Sequence, residues 1–159
     1  MTTKQQIIDG LQMIAREGER VTASNGPDDW AYAVHDEEGG WSVKQLFCHL
    51  VGTAEALPGI AGALSQAEEG QNIAANLDID DFNAQGVSAR EKMSTAELIQ
   101  ALKDAYEKAA EAVEGLPDAQ LLQQRQFGQV KGSVADLIQT FVVLHGLSHV
   151  YHAQSRPLN

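Results

Sequence analysis

Cysteine is nearly absent from this chain: its 159 residues include one, Cys48. An intrachain disulfide is therefore impossible, which suits a reducing compartment. Basic residues are also scarce, 11 Lys and Arg against 22 Asp and Glu, giving a formal net charge of −11. A duplex-binding protein needs cations to neutralise phosphates. Nucleic acid is therefore not expected as a partner, and an anionic membrane surface is disfavoured for the same reason. The opening residues, MTTKQQIIDG, lack the apolar core of a secretory signal. The most apolar stretch, Val134 to Tyr151, is broken by Asp136, Gln139 and histidines, and reads as a buried helix instead of a membrane span. There is no internal repeat, no low-complexity tract and no convincing strand alternation. These absences point to a soluble, cytoplasmic protein.

What is present is a globular composition, 43% hydrophobic and 21% charged, in a length that suits one domain over residues 1–159. Ile7, Ile8, Leu11, Ile14 and Val21 recur at helical spacing and predict a first helix over 3–21. The turn residues Ser24 to Asp29 follow, then Trp30 and Tyr32, and a polar stretch ending in Gly39-Gly40. Ser42 and Gln45 have the spacing of a capping box, and Trp41 stands just before the cap, where an apolar side chain can staple the helix entry. The second helix carries Leu46, Phe47, His49 and Leu50 as far as Leu57, where Pro58 can end or kink it. Residues 59–86 are rich in Ala, Gly and acids, and read as a long connection holding one helical piece. Ser94 and Glu97 cap a third helix with the stripe Leu98, Leu102, Tyr106, Ala109 and Val113, which Gly115-Leu116-Pro117 stops. Residues 121–131 look extended or loop-like. Ser133, with Asp136 three residues on, caps a fourth helix running to about Ser155, with Leu137, Phe141 and Leu144 directed at the core. The pattern predicts an all-α four-helix bundle with a long connection between its second and third helices.

Five histidines occur: His35, His49, His145, His149 and His152. On an α-helix, positions four apart lie about 40° apart around the axis, so His145 and His149 share a face. That spacing lets one helix offer two imidazoles to one metal ion. His152 lies about 60° from His149, at the edge of the same face. A helical histidine pair can equally be solvated or hydrogen-bonded in the core. Here the apolar neighbours argue for burial, and unsatisfied buried polar groups are costly, at about 1–3 kcal/mol each. His49 sits among Leu46, Phe47 and Leu50 and completes a three-imidazole site if the second and fourth helices face each other. His35 lies in the acid-rich stretch Val34 to Glu38 and is expected to be solvated.

The string from Trp41 to Leu50, WSVKQLFCHL, resembles the second-helix motif of the DinB/YfiT-like metal-binding bundles. The segment His145-Gly-Leu-Ser-His149-Val-Tyr-His152 resembles their closing motif, two histidines four apart followed three later by Gln. His152 stands at the Gln position, so two registers stay open: His145 with His149, or His149 with His152. The stretch Asp78 to Arg90 is similar to the mycothiol-dependent maleylpyruvate isomerase N-terminal domains. The resemblance implies a four-helix bundle and a three-histidine divalent metal site, zinc or nickel, at His49, His145 and His149. His152 would be an alternative ligand or a group orienting the ligands. The resemblance also implies a homodimer and a small-molecule substrate.

Three neutral imidazoles leave an open position on a zinc-like ion, where a bound water drops in pKa towards about 7. A low-molecular-weight thiol there would ionise and could attack an electrophile. The expected function is thus a metal-dependent enzyme, a thiol-dependent transferase or isomerase or a hydrolase, acting on a small electrophile. The alternative is a non-catalytic metal-binding or stress-associated bundle, which His152 as a fourth ligand would favour. No catalytic residue beyond the metal ligands is assigned. Glu55 is out of helical phase with His49 by about 120°, and Cys48 points about 100° away from it. Cys48 reads as an inert buried thiol, and Trp30, Tyr32 and Trp41 read as core residues, with pocket walls as the other reading.

Overall fold

The computed structural model describes residues 2–34 and 40–154. His35, with its acidic neighbours, and Ser155 lie outside the described residues. The first helix, α1, runs Lys4–Ser24 and is capped by Thr3 and Gln6, each side chain reaching the other's backbone. A 3-10 turn at Pro27–Ala31 follows. Helix α2 spans Val43–Gln66, α3 Ile79–Ser88, α4 Thr95–Glu114 and the short α5 Asp118–Leu121. A hairpin of β1 (Gln124–Phe127) and β2 (Val130–Ser133) leads into a last helical rod. The rod has three parts: α6 (Val134–Ile138), a π-helical segment (Gln139–Leu144) and α7 (His145–Gln154).

The capping residues read from the sequence do their expected work. Ser42 accepts from the Gln45 backbone and Ser94 from that of Glu97, both in complete capping boxes. Ser133 accepts from Asp136 N. The predicted stripes are the core: Ile7, Leu11 and Ile14 of α1, and Leu98, Leu102 and Val113 of α4, have no exposed surface. Helix α4 packs on both α1 and α2, and the terminal rod closes the bundle against α1 and α2. The all-α bundle expected from the sequence is the observed architecture.

Three local details differ from the expectation, and a fourth, the extended stretch after α5, is sharpened. Pro58 does not end α2, which continues for two more turns with Pro58 exposed inside it. Proline lacks the N–H that would bond the carbonyl four residues back, and burial of Leu57, Ala61 and Leu64 offsets that loss. The extended stretch after α5 is a hairpin, paired from Gln124 with Ser133 to Phe127 with Val130. Its two-residue loop holds Gly128 at φ +59°, which suits the twist of a tight hairpin. Leu144 is 54% exposed, not in the core. Finally, among the described residues the helix long and apolar enough to cross a membrane is α2, not the last one. Its most apolar window is 61% buried inside the protein, as a core helix would be.

Candidate metal centre

The entry to α2 is fixed before the helix begins. Val34 N donates to Trp41 O (2.7 Å) and Val43 N to Tyr32 O (3.0 Å), so the strand-like pairs hold Trp41 over the first turns of the helix. Its indole then packs at a tilt of 48° against His49 two turns on, with ring centroids 5.0 Å apart. Trp41 is half-buried and acts as a wall of the site as well as a core residue. Trp30 is core as expected, packed edge-on against Phe47 at 5.3 Å. Cys48 is fully buried and its thiol pKa is raised, chiefly by burial, in keeping with an inert side chain.

The π-helical segment decides which residues of the terminal rod face inward. A π turn accommodates one extra residue, and one residue is about 100° of an α-helix. In an unbroken helix, Leu144 and Ser148 would continue the face begun by Leu137 and Phe141. Both are exposed. Each inward position has passed to the next residue along, which is His145 and then His149. Val143 of this segment is buried where α1 comes close at Gly10, and a Cβ on Gly10 would stand 2.3 Å from Val143 Cγ1.

His49, His145 and His149 converge. His145 Nε2 lies 2.9 Å from His49 Nε2 and 2.9 Å from His149 Nε2. One potential ligand atom from each of the three lies within 4.8 Å of the others. His49 and His149 are almost fully buried, and His145 is half-buried. Burial pushes the pKa of His49 down to about 4, helped by repulsion from His145. Burial pushes His149 down to about 3, with repulsion from His145, His49 and His152 adding to it. Both rings are therefore neutral near pH 7. A neutral imidazole nitrogen carries either one proton or one lone pair. Three such nitrogens meeting at one point cannot satisfy one another fully by sharing protons, whereas a cation accepts a lone pair from each. The donor set fits a divalent metal that takes nitrogen ligands.

His152 is not part of this group. Its ring centre is 6.5 Å from that of His149, and its Nδ1 is buried without a hydrogen-bond partner among the described residues. Glu55 is engaged elsewhere, in an ion pair with Arg90 that ties the end of α3 to α2.

Beside the histidines opens a cavity of about 230 Å³, with His49 and His145 in its wall. Thr53, one turn beyond His49 on α2, lines it, as do Ile60 and Leu64 further along. Phe82 and Asn83 come from α3, Phe127 from the hairpin, and Leu137, Ile138 and Phe141 from the terminal rod. The hairpin is held at this wall by Asn72, whose side chain donates to Gly128 O and accepts from Gly128 N, both at 2.9 Å.

The profile of the mycothiol maleylpyruvate isomerase N-terminal domain matches residues 11–147. The chain belongs to that family. The match agrees with the DinB/YfiT-like resemblance of the two histidine motifs. It contains His49, His145 and the whole cavity lining, and it ends two residues before His149. No curated protein and no solved structure matches the chain.

In this mycothiol maleylpyruvate isomerase N-terminal domain, sequence spacing picked out the histidines but not their surroundings. Thr53 and the hairpin wall carry no motif, α3 lies in the stretch Asp78 to Arg90 that resembles the family, and all three meet only through the fold. A signal for Thr53 did exist, since it stands four residues after His49 and so shares its face.

Proposed function

We propose that His49, His145 and His149 hold one divalent metal ion, zinc or nickel, and that the centre serves a metal-dependent reaction on a small electrophile. Transfer or isomerisation using a low-molecular-weight thiol is the best-supported form, because the family is defined by a mycothiol-dependent isomerase; hydrolysis is the other. The observation that carries the reading is the convergence of three buried imidazole nitrogens at the wall of an apolar cavity. An ion bound there would acidify a thiol or water at its free position. The chain's own contribution is positional. Burial keeps His49 and His149 neutral, with lone pairs available, and Trp41 packs against the His49 ring. The cavity walls beside the histidines are mostly apolar, which suits a hydrocarbon portion of the substrate. Among the described residues no carboxylate lines the cavity, so none is assigned a proton-transfer role.

The non-catalytic alternative is less well supported, because it would need a fourth protein ligand and His152 stands outside the three-histidine group. A soluble cytoplasmic homodimer that binds neither nucleic acid nor membrane belongs to the same proposal. It is supported by the acidic composition, the single buried cysteine and the family resemblance.

Elemental analysis of protein purified without chelators tests the reading. About one transition-metal ion per chain is expected. A low-molecular-weight thiol should then perturb the visible spectrum of the cobalt-substituted protein. Metal-free protein that also fails to take up zinc, nickel or cobalt would overturn the metal centre. Metal uptake without a spectral response to thiols would overturn the thiol chemistry alone.

A further inference from the structure

The cavity beside the histidines is specific about what it can hold. Among the described residues, its polar lining side chains apart from the histidines are Thr53 and Asn83, and no Lys, Arg, Asp or Glu lines it. Arg90 is taken up by Glu55 and by the carbonyl of Gly86, and Arg125 by the carbonyls of Leu64 and Gln124 and the side chain of Gln123. An ionised carboxylate placed deep among Ile60, Leu64 and Ile138, away from the histidines, would lose its hydration and gain no counter-charge from the described lining side chains, which a buried charge does not tolerate. The apolar character continues outward: Leu77 and Ile79 line the cavity and are 43% and 55% exposed. The volume of about 230 Å³ exceeds the roughly 150 Å³ of an apolar cavity known to accept benzene.

One polar group interrupts this surface at the histidine end. Thr53 is buried, and its hydroxyl has no hydrogen-bond partner among the described residues. A threonine inside a helix ordinarily satisfies its hydroxyl on a carbonyl three or four residues back. Here it does not, and its helical phase places it on the same face as His49. A buried hydroxyl without a partner is unfavourable unless something else supplies one.

We infer that the molecule bound beside the three histidines has an uncharged hydrocarbon body, the size of a substituted aromatic ring or a medium alkyl chain, with a single polar group at the histidine end that hydrogen-bonds to Thr53. A small dicarboxylate is excluded from the cavity. The inference rests on the proposed metal centre only for the chemistry at that polar end, since the cavity walls are formed by the protein itself.

The test is a methyl-NMR titration of the full chain, with and without zinc, following Ile60, Ile138 and Val142. The probes are toluene, benzyl alcohol and succinate. Toluene and benzyl alcohol should shift these methyl signals, and succinate should not. Ala56→Phe, on the cavity wall, should block both neutral probes while leaving zinc uptake unchanged. Leu77→Trp, at the half-exposed rim, provides the same block without touching the core. Thr53→Val should lower the preference for benzyl alcohol over toluene by about fivefold, the worth of one ordinary hydrogen bond. Succinate binding more tightly than the neutral probes overturns the inference, as does their failure to bind. Neutral-probe binding undiminished in both wall variants overturns the site. Neutral probes that bind to protein unable to take up metal would leave this inference standing and remove only the metal centre.

Discussion

Gly10→Ala tests whether the packing of α1 against the π-helical segment is as tight as the structure requires. In an open helix interior this substitution stabilises by about 0.5–1 kcal/mol, because alanine loses less backbone freedom on folding. Here the new Cβ would stand 2.3 Å from Val143 Cγ1, against an optimum of about 3.5–4.0 Å between carbons. The obstacle is a β-branched side chain with one strongly preferred helical rotamer, and it is buried. It cannot swing aside, so α1 and the π-helical segment must separate. Overpacking of this kind costs about 1–3 kcal/mol. The steric term wins, leaving a net loss of about 1–2 kcal/mol, or a Tm fall of about 3–6 °C in a chain of this length. Urea and thermal unfolding of chelator-treated protein would measure it free of any stabilisation by bound metal. Val143→Ala removes the obstructing methyl groups, so the double variant should be more stable than the sum of the two single losses implies. A Gly10→Ala protein as stable as the parent, or a double variant with strictly additive losses, would refute the reasoning.

Two further outcomes are expected. His145→Ala should abolish metal uptake, whereas His152→Ala, outside the three-histidine group, should weaken it far less; the opposite ranking in a competition titration would move the ligand pair to His149 and His152. Hydrogen bonds from the Ser133 hydroxyl (2.6 Å) and the Thr2 hydroxyl (2.7 Å) hold the Asp136 carboxyl below the usual carboxylate range. A depressed folded-state pKa contributes stability that is present above the unfolded value of about 3.9 and is lost as pH falls through the folded value. Asp136→Asn should therefore unfold more readily than the parent at pH 7, with the gap closing in acid; a gap that is the same at pH 7 and in strong acid would show that the carboxylate charge is not responsible.

Much of the fold follows from local chemistry and was legible for that reason. The stripes Ile7 to Val21 and Leu98 to Val113 need only the helical period, and Ser42, Ser94 and Ser133 mark helix starts through bonds to backbone within three residues. The all-α class, the caps and the shared face of His145 and His149 are determined on that scale, because each depends on neighbours within one or two turns. The acidic balance and the lone cysteine likewise need no fold. The tertiary structure decided the rest. Pro58 stays inside α2 because distant core contacts offset a lost hydrogen bond, a balance no local signal reports. The π-helical segment, packed where α1 comes close at Gly10, rotates Leu144 outward and sets His145 inward. Whether His49 meets those histidines depends on two helices separated by nearly a hundred residues coming face to face. The cavity draws its walls from α2, α3, the hairpin and the terminal rod. A cavity is a property of the space between elements, and helical periodicity specifies only which face of each element turns toward it.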